Sequence, residues 1–464
     1  MSENIIFHPC VTFFFFKLPR KLSTENYVIL PSILKMNSFK PLRMPKTNIN
    51  PAAIKIEDFQ YELPDERIAR FPLEKRDQSK LLIYKGGRIE ADVFRKVSTH
   101  LPENALLLLN QAKVVHARLH FRKSTGGKIE IFCLEPDSRY LDITTAMMQK
   151  NEVYWNCILR GASKWKDDSP LELKVNYSTT SGEKTIKAEA RKVSREGQSF
   201  NIHFKWETGN NEQISFSEFL EHAGKIPIPP YLKRKAKESD EERYQTIFAK
   251  SEGSVAAPTA ALHFTSEILN QLPSKNIDLG ELTLHVSAGT FMPVKSKTIA
   301  GHEMHAEWIE ISLGSLEKIA QQLQTENKII GIGTTSARTL ESLYWIGVQI
   351  LKKQWQIDQK IAVSQWYPYQ EESNFTGLQA INALIDYYVT NNLQTLITQT
   401  KLIIVPGYEF RLLDGLITNF HQPSSTLLLM ISAFVGEDWK KIYDYALDNN
   451  FRFLSYGDGS LLWR

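Results

Sequence analysis

The sequence predicts an α/β protein, with a mixed α/β main domain interrupted by a small inserted β-barrel. Three observations carry that prediction. Ala105–Leu109 is a wholly apolar run of strand length, as expected of a strand buried on both faces at the centre of a sheet. From about Val114 to Trp206 the apolar period is two, broken at short intervals by turn residues. After Ser217, helical and strand patterns alternate to the C-terminus, as they do when helices cover a sheet.

Taken in order, residues 1–43 read as an extension outside any domain, either because Met44 is the start or as a disordered tail, and Met44–Lys55 as a linker containing Pro and Asn. Val11–Phe16 is an aromatic run followed, not preceded, by Lys17 and Arg20, so it does not read as a signal peptide. The main domain begins over 56–113. Pro64 opens a short helix, and Lys80–Tyr84 and Arg88–Val93 flank Gly86-Gly87 as a hairpin. The barrel occupies 114–216. Its strands include Lys128–Cys133, Leu171–Val175, Thr185–Val193 and Phe200–Trp206, with turns at Gly126-Gly127, Ser181-Gly182 and Glu196-Gly197. Residues 217–464 complete the main domain. Lys328–Gly331 is a strand that runs into a helix from about Ala337, Ser424 or Ser425 caps the helix Thr426–Phe434, and 344–400 reads as an elaboration.

Composition narrows the function. Of 464 residues, 42% are hydrophobic and 23% charged, which excludes a disordered or fibrous chain. Cys10, Cys133 and Cys157 form no CxxC pair, so a disulfide scaffold is excluded and a reducing, cytoplasmic setting is expected. No apolar run approaches the ~20 residues of a membrane span, so no membrane partner is expected. Lys17, Arg20, Lys21, Lys35, Lys40 and Arg43 against Glu3 and Glu25 account for the whole net charge of +4. The remainder is neutral, and any RNA contact must come from a local patch.

Five clusters place polar residues where apolar ones would pack better. Gly253 to Thr265 is rich in small residues and carries Thr259 and His263; it reads as a ligand approach or as a tight turn with a satisfied histidine. Thr283 to Phe291 carries His285 and Thr290, with His285 facing away from Leu284 and Val286, toward a site or toward the surface. His302-Glu303-Met304-His305 spaces its histidines i, i+3, not the i, i+4 of a zinc helix, so no metal ligand is assigned. Gly331 to Arg338 joins a strand, a glycine turn and a helix start. Backbone N–H groups gather there with Thr334, Thr335, Ser336 and Arg338, fit for a carboxylate or phosphate or for a plain capped helix. Asp414 to Pro423, with Asn419 and His421, and Ser455 to Asp458 close the set; turn chemistry alone would also explain them. Several histidines point to acid–base work but name no reaction.

In order and spacing, these strings resemble one family. They include Tyr61-Glu62-Leu63-Pro64, Arg76-Asp77, Ala117-Arg118-Leu119, Gly126 to Glu130, Ile226 to Tyr231, Arg243-Tyr244-Gln245-Thr246, Gly253 to Thr265, Thr283 to Val286, Met304 to Glu307, Gly333 to Ser336, Pro406-Gly407-Tyr408, Thr418 to His421 and Ser455 to Asp458. The chain resembles the S-adenosylmethionine:tRNA ribosyltransferase-isomerases of queuosine biosynthesis from about Asp58 to Leu462. The resemblance implies an α/β domain with an inserted barrel. It also implies transfer and isomerisation of the ribosyl part of S-adenosylmethionine onto 7-aminomethyl-7-deazaguanine in a tRNA anticodon, giving epoxyqueuosine, adenine and methionine. S-adenosylmethionine is then a substrate, no cofactor is permanently bound, and the protein is taken to be a monomer.

The implied chemistry assigns roles. The sulfonium acidifies the C5′ hydrogens, a base removes one, and adenine leaves with help from an acid. His285 or His305 is the expected base, and His263 or His421 the expected acid. Glu307, Trp308 or Tyr456 faces the sulfonium; Thr334, Thr335, Ser336 and Arg338 take a carboxylate or phosphate. Thr259, Thr290, Asn419 and Asp458 complete the expected substrate contacts. The chain departs from the family where Asn-Asp-Thr-Arg becomes Asn110-Gln111-Ala112-Lys113, where Ser287-Ala288-Gly289 replaces Gly-Leu-Gly, and at Gly459-Ser460. A non-catalytic tRNA-binding paralogue, another S-adenosylmethionine-dependent transferase and a metallohydrolase stay open at this stage.

Overall fold

A computed structural model describes residues 50–464, apart from 167–168, 181, 210–211, 288–293, 295 and 356–360. The extension 1–43 with its expected start, and the expected contact Thr290, lie outside the described residues.

Leu106–Asn110 is the strand around which the main domain is built, and all five residues are buried. Leu106 and Leu108 face one apolar core while Leu107 and Leu109 face another. The alternation of strand side chains thus serves two layers at once, which is why Leu106 to Leu109 are all apolar. Parallel neighbours on either side are Asp278–His285 and Ile329–Ile332, and the latter pairs in parallel with Gly415–Asn419. Antiparallel pairs, two further parallel pairs and the Lys80–Lys85/Arg88–Val93 hairpin extend this centre to a ten-stranded mixed sheet. Helices Leu313–Gln324, Thr334–Leu351 and Gly377–Thr390 cover one face.

The insertion is a closed barrel of six antiparallel strands, in the order Ser199–Thr208, Glu152–Arg160, Lys128–Pro136, Arg118–Arg122, Leu171–Thr179, Gly182–Glu196. Alternate side chains such as Phe121, Ile131, Val153 and Phe204 fill it. Helix Phe216–Ala223, held by a Ser215/Glu218 capping box, closes one end, with Phe219 stacked on Trp206 at 5.2 Å. The chain leaves for the barrel at Ala112–Val114 and returns at Ser251–Ser254, and these two segments pair in parallel as a neck. Two barrel strands, Arg118–Arg122 and Glu152–Arg160, were not among those singled out from the pattern. In the second, Tyr154 and Ile158 on the outer face blur the polar–apolar contrast.

Residues 344–400 are woven into the main domain. Tyr344 sits mid-way along the helix Thr334–Leu351, which therefore begins at Thr334 and not near Ala337. Thr395–Thr400 and Ile361–Val363 extend the main sheet. Helix Gly377–Thr390 crosses Thr334–Leu351 so closely that a Cβ at Gly347 would lie 2.1 Å from the carbonyl oxygen of Ala380. Only glycine permits that approach. Among the described residues no helix is long and apolar enough to cross a membrane.

Candidate active site

The parallel strands deliver their carboxyl ends to one place, where crevices of open α/β sheets bind ligands. Past Asp278–His285 comes Val286, past Ile329–Ile332 come Gly333, Thr334 and Thr335, and at the end of Gly415–Asn419 stand Thr418, Asn419, Phe420 and His421. Together with Tyr231, the segment Ala256–Ala260 and Ser455, these residues line an open cleft of about 710 Å³.

Gly333 enters the helix with φ +91°, a conformation that favours glycine, and so turns the first N–H groups of Thr334–Leu351 toward the cleft. Thr335 Oγ1 is buried there without a hydrogen-bond partner among the described residues. A buried hydroxyl left unsatisfied beside free helix N–H groups fits an anionic ligand group.

The opposite wall is held by a chain of side chains. Thr259 Oγ1 donates to Asn419 Oδ1 at 2.8 Å, and Asn419 Nδ2 reaches His263 Nε2 at 3.1 Å and the carbonyl of Asp458 at 3.4 Å. The Asp458 carbonyl can only accept, which fixes the amide orientation; Nδ2 therefore donates to His263 Nε2. The proton of the neutral ring is then on Nδ1, facing Ser79 Oγ at 2.8 Å. Burial pushes the His263 pKa down to about 4. Burial likewise pushes His421 down to about 3, and its Nε2 meets Thr418 Oγ1 at 2.9 Å. Its backbone is clamped by Tyr61, whose hydroxyl donates to the His421 carbonyl, and by Tyr443, which accepts from its N–H. Both imidazoles are neutral near pH 7, so neither repels a cationic ligand.

A queuosine biosynthesis protein family model matches residues 56–462, nearly all of the described chain. The chain belongs to this family. Relatives named S-adenosylmethionine:tRNA ribosyltransferase-isomerase include one from Thermotoga petrophila, 34% identical over 412 residues, covering 88% of this chain and 100% of the relative. One from Natranaerobius thermophilus is 34% identical over 414 residues, with 88% and 99% covered, and one from Magnetococcus marinus is 32% identical over 410 residues, with 88% and 94% covered. A crystal structure of S-adenosylmethionine tRNA ribosyltransferase from Thermotoga maritima aligns with TM-score 0.41 and 26% identity over 87% of this chain and 99% of that one.

In this member of the queuosine family the four expected imidazoles do not share one cavity. His421 lines the cleft, and His263 lies one layer behind it, bonded to Asn419. His285 faces away from the cleft because Val286, its strand neighbour, faces into it; its Nε2–H donates to Glu310 Oε1 at 2.9 Å and the ring lies against Gly253. His305 is exposed on a loop and does not line the cleft. Its separation from His302 by three residues builds no metal cluster among the described residues.

Other placements also change. Glu307 is tied to the Arg338 guanidinium in a buried ion pair and accepts from the Ser287 N–H at 3.1 Å, so its charge is already balanced. Ser336 is fully buried and donates to the Ile332 carbonyl. Asp458 is spent on the N–H groups of Lys80 and Arg452. Trp308 belongs to the apolar core beneath the barrel, and Tyr456 donates its hydroxyl to Asp240 at 2.8 Å. Thr259, Thr334, Thr335 and Asn419 do line the cleft. The aromatic faces on it are Tyr231 and Phe420, which the pattern reading passed over although Tyr231 ends the Ile-Pro-Ile-Pro-Pro-Tyr string. Of the described departures from the family, Asn110–Lys113 and Gly459-Ser460 lie off the cleft. Asn110 ties Leu106–Asn110 to Leu284, and Ser460 Oγ donates to the Thr418 carbonyl.

Proposed function

We propose that this chain is an S-adenosylmethionine:tRNA ribosyltransferase-isomerase. It moves the ribosyl moiety of S-adenosylmethionine onto 7-aminomethyl-7-deazaguanine in tRNA, yielding epoxyqueuosine and releasing adenine and methionine. The supporting observation is the make-up of the cleft. Among the described residues its wall carries no carboxylate and one imidazole, beside a helix start with an unsatisfied hydroxyl.

The donor brings a sulfonium, an adenine and a zwitterionic methionine half. Neutral His421 is the base we assign to the acidified C5′ hydrogen, since among the cleft side chains only it and Tyr231 titrate, and burial raises the Tyr231 hydroxyl to about 12. Tyr231 and Phe420 offer aromatic faces to the sulfonium. Thr334, Thr335 and the helix start take a carboxylate or phosphate, while Thr259 and Asn419 present hydrogen-bonding groups to sugar or base. His263 acts through Asn419. We further propose a cytoplasmic monomer without a permanently bound cofactor.

Incubating the protein with S-adenosylmethionine and precursor tRNA should release adenine and yield epoxyqueuosine by mass spectrometry of digested nucleosides. Binding of both substrates without either product would sink the assignment and favour a non-catalytic tRNA binder.

A further inference from the structure

Beside the cleft lies a second concavity of about 290 Å³, and three guanidinium groups, those of Arg76, Arg243 and Arg452, stand on its wall. Like charges gathered around one small hollow repel, so packing alone gives no reason to bring them together. Arg452 is balanced by Asp458 at 3.3 Å. Arg76 and Arg243 have no carboxylate within ion-pair distance among the described residues. Backbone carbonyls hold them instead: Arg76 Nη1 donates to Gln245 O at 3.1 Å, and Arg243 donates to Glu74 O at 2.9 Å and to Leu73 O. Arg243 Nε is buried with no acceptor among the described residues. Burial and the charge of Arg243 lower the Arg76 pKa, only partly offset by Glu242.

Carbonyl contacts orient a guanidinium without neutralising it. Two such groups, with a donor left over, form a preorganised receptor for an oxyanion. The hollow adjoins the cleft, since Ser455 lines both and His263, on its wall, bonds the cleft residue Asn419.

We propose that Arg76 and Arg243 form an oxyanion subsite that anchors a charged group of a substrate held in the neighbouring cleft. The inference rests on the function proposed above. Two oxyanions are on offer there, a phosphodiester of the tRNA and the carboxylate of the methionine half of the donor.

The test compares the wild type with Arg76→Gln, Arg243→Gln and the two lysine variants in steady-state turnover. Each glutamine variant should raise one KM by about 10- to 100-fold, the loss expected for a charge-assisted hydrogen bond, with kcat changing far less and lysine restoring part of the loss. A rise in KM for tRNA, with the salt slope of tRNA binding reduced by about one, identifies the phosphodiester. A rise in KM for S-adenosylmethionine, with loss of discrimination against its decarboxylated form, identifies the carboxylate. In the wild type, inorganic phosphate should compete with that same substrate, a readout that needs no variant to fold. Unchanged KM values in folded variants, or no competition by phosphate, overturn the subsite. Wild-type protein that makes no epoxyqueuosine overturns the function instead.

Discussion

Asn419 Nδ2 donates to His263 Nε2 at 3.1 Å, joining a residue on the cleft wall to a buried imidazole that never reaches the cleft. The contact spends the Nε2 lone pair of His263. That nitrogen holds an amide in place and is not free to exchange a proton with a substrate. His263→Ala should therefore lower kcat/KM through Asn419. Asn419→Ala should cost a similar amount, and the double variant should cost much less than the two added, because neighbours in one hydrogen-bonded chain are not independent. Turnover measured around this double-mutant cycle checks it; full additivity contradicts the link.

His421 carries the proton-transfer prediction. His421→Ala should reduce turnover by roughly 10²–10⁴-fold if the ring is the base, whereas His305→Ala, on an exposed loop, should stay near wild type. With a pKa of about 3 the ring is already unprotonated across the neutral range. The profile of kcat/KM against pH should then show no limb near 6.5 that belongs to His421. A limb there that disappears in His421→Gln would show that the ring is not held neutral.

Stability should fall in mild acid for the same reason. Above pH 6.5, the ordinary histidine value, neither His263 nor His421 binds a proton folded or unfolded, and the two rings contribute no pH dependence. Between 6.5 and about 4 the unfolded chain takes up both protons and the fold refuses them. Each ring then lowers the unfolding free energy by about 1.4 kcal/mol per pH unit. Below about 4 only His421 continues the loss. Urea unfolding at pH 7 and pH 5 measures this, and His421→Gln should flatten the slope.

The Glu307–Arg338 pair is a structural bond beside the cleft. Glu307→Gln leaves a buried guanidinium without its counter-charge and should cost about 3–5 kcal/mol, while an apolar replacement of both residues should cost less. Thermal unfolding of the single and double variants decides between this and a direct role for Glu307 with the sulfonium. The direct role would instead show as a KM effect at unchanged stability.

Gly347→Ala should destabilise the main domain by about 1–3 kcal/mol or more, because its methyl group would meet the Ala380 carbonyl where two helices cross. Unchanged stability would mean that the helices can separate and that residues 344–400 are less integral than their packing indicates.

Much of this molecule was legible along the chain because the governing forces are local. Ala105–Leu109 read as a central strand since a strand covered on both faces tolerates no polar side chain. The hairpin around Gly86-Gly87, the barrel's alternation and the Ser425 cap (its hydroxyl accepts from the Leu428 N–H) are set by residues within a few positions of each other. Thr259, Thr334, Thr335, Asn419 and His421 were found because small or polar residues at strand ends and helix starts are unusual. The roles of His285, Glu307 and Asp458 were not legible. Each is decided by a partner brought in from elsewhere: Glu310 across a strand pair, Arg338 from a helix, and the N–H groups of Lys80 and Arg452.

The sequence by itself determined the two-part α/β and barrel architecture, the family, and the set of polar strings from which a site is drawn. Tertiary structure alone decided which of those strings face a common cleft, and it brought Arg76 and Arg243 to one hollow from positions far apart in the chain. The physical reason is that periodicity records which side of an element is buried. A hydrogen bond or an ion pair depends on distances of about 3 Å, and chain folding sets those between residues that sequence leaves unconnected.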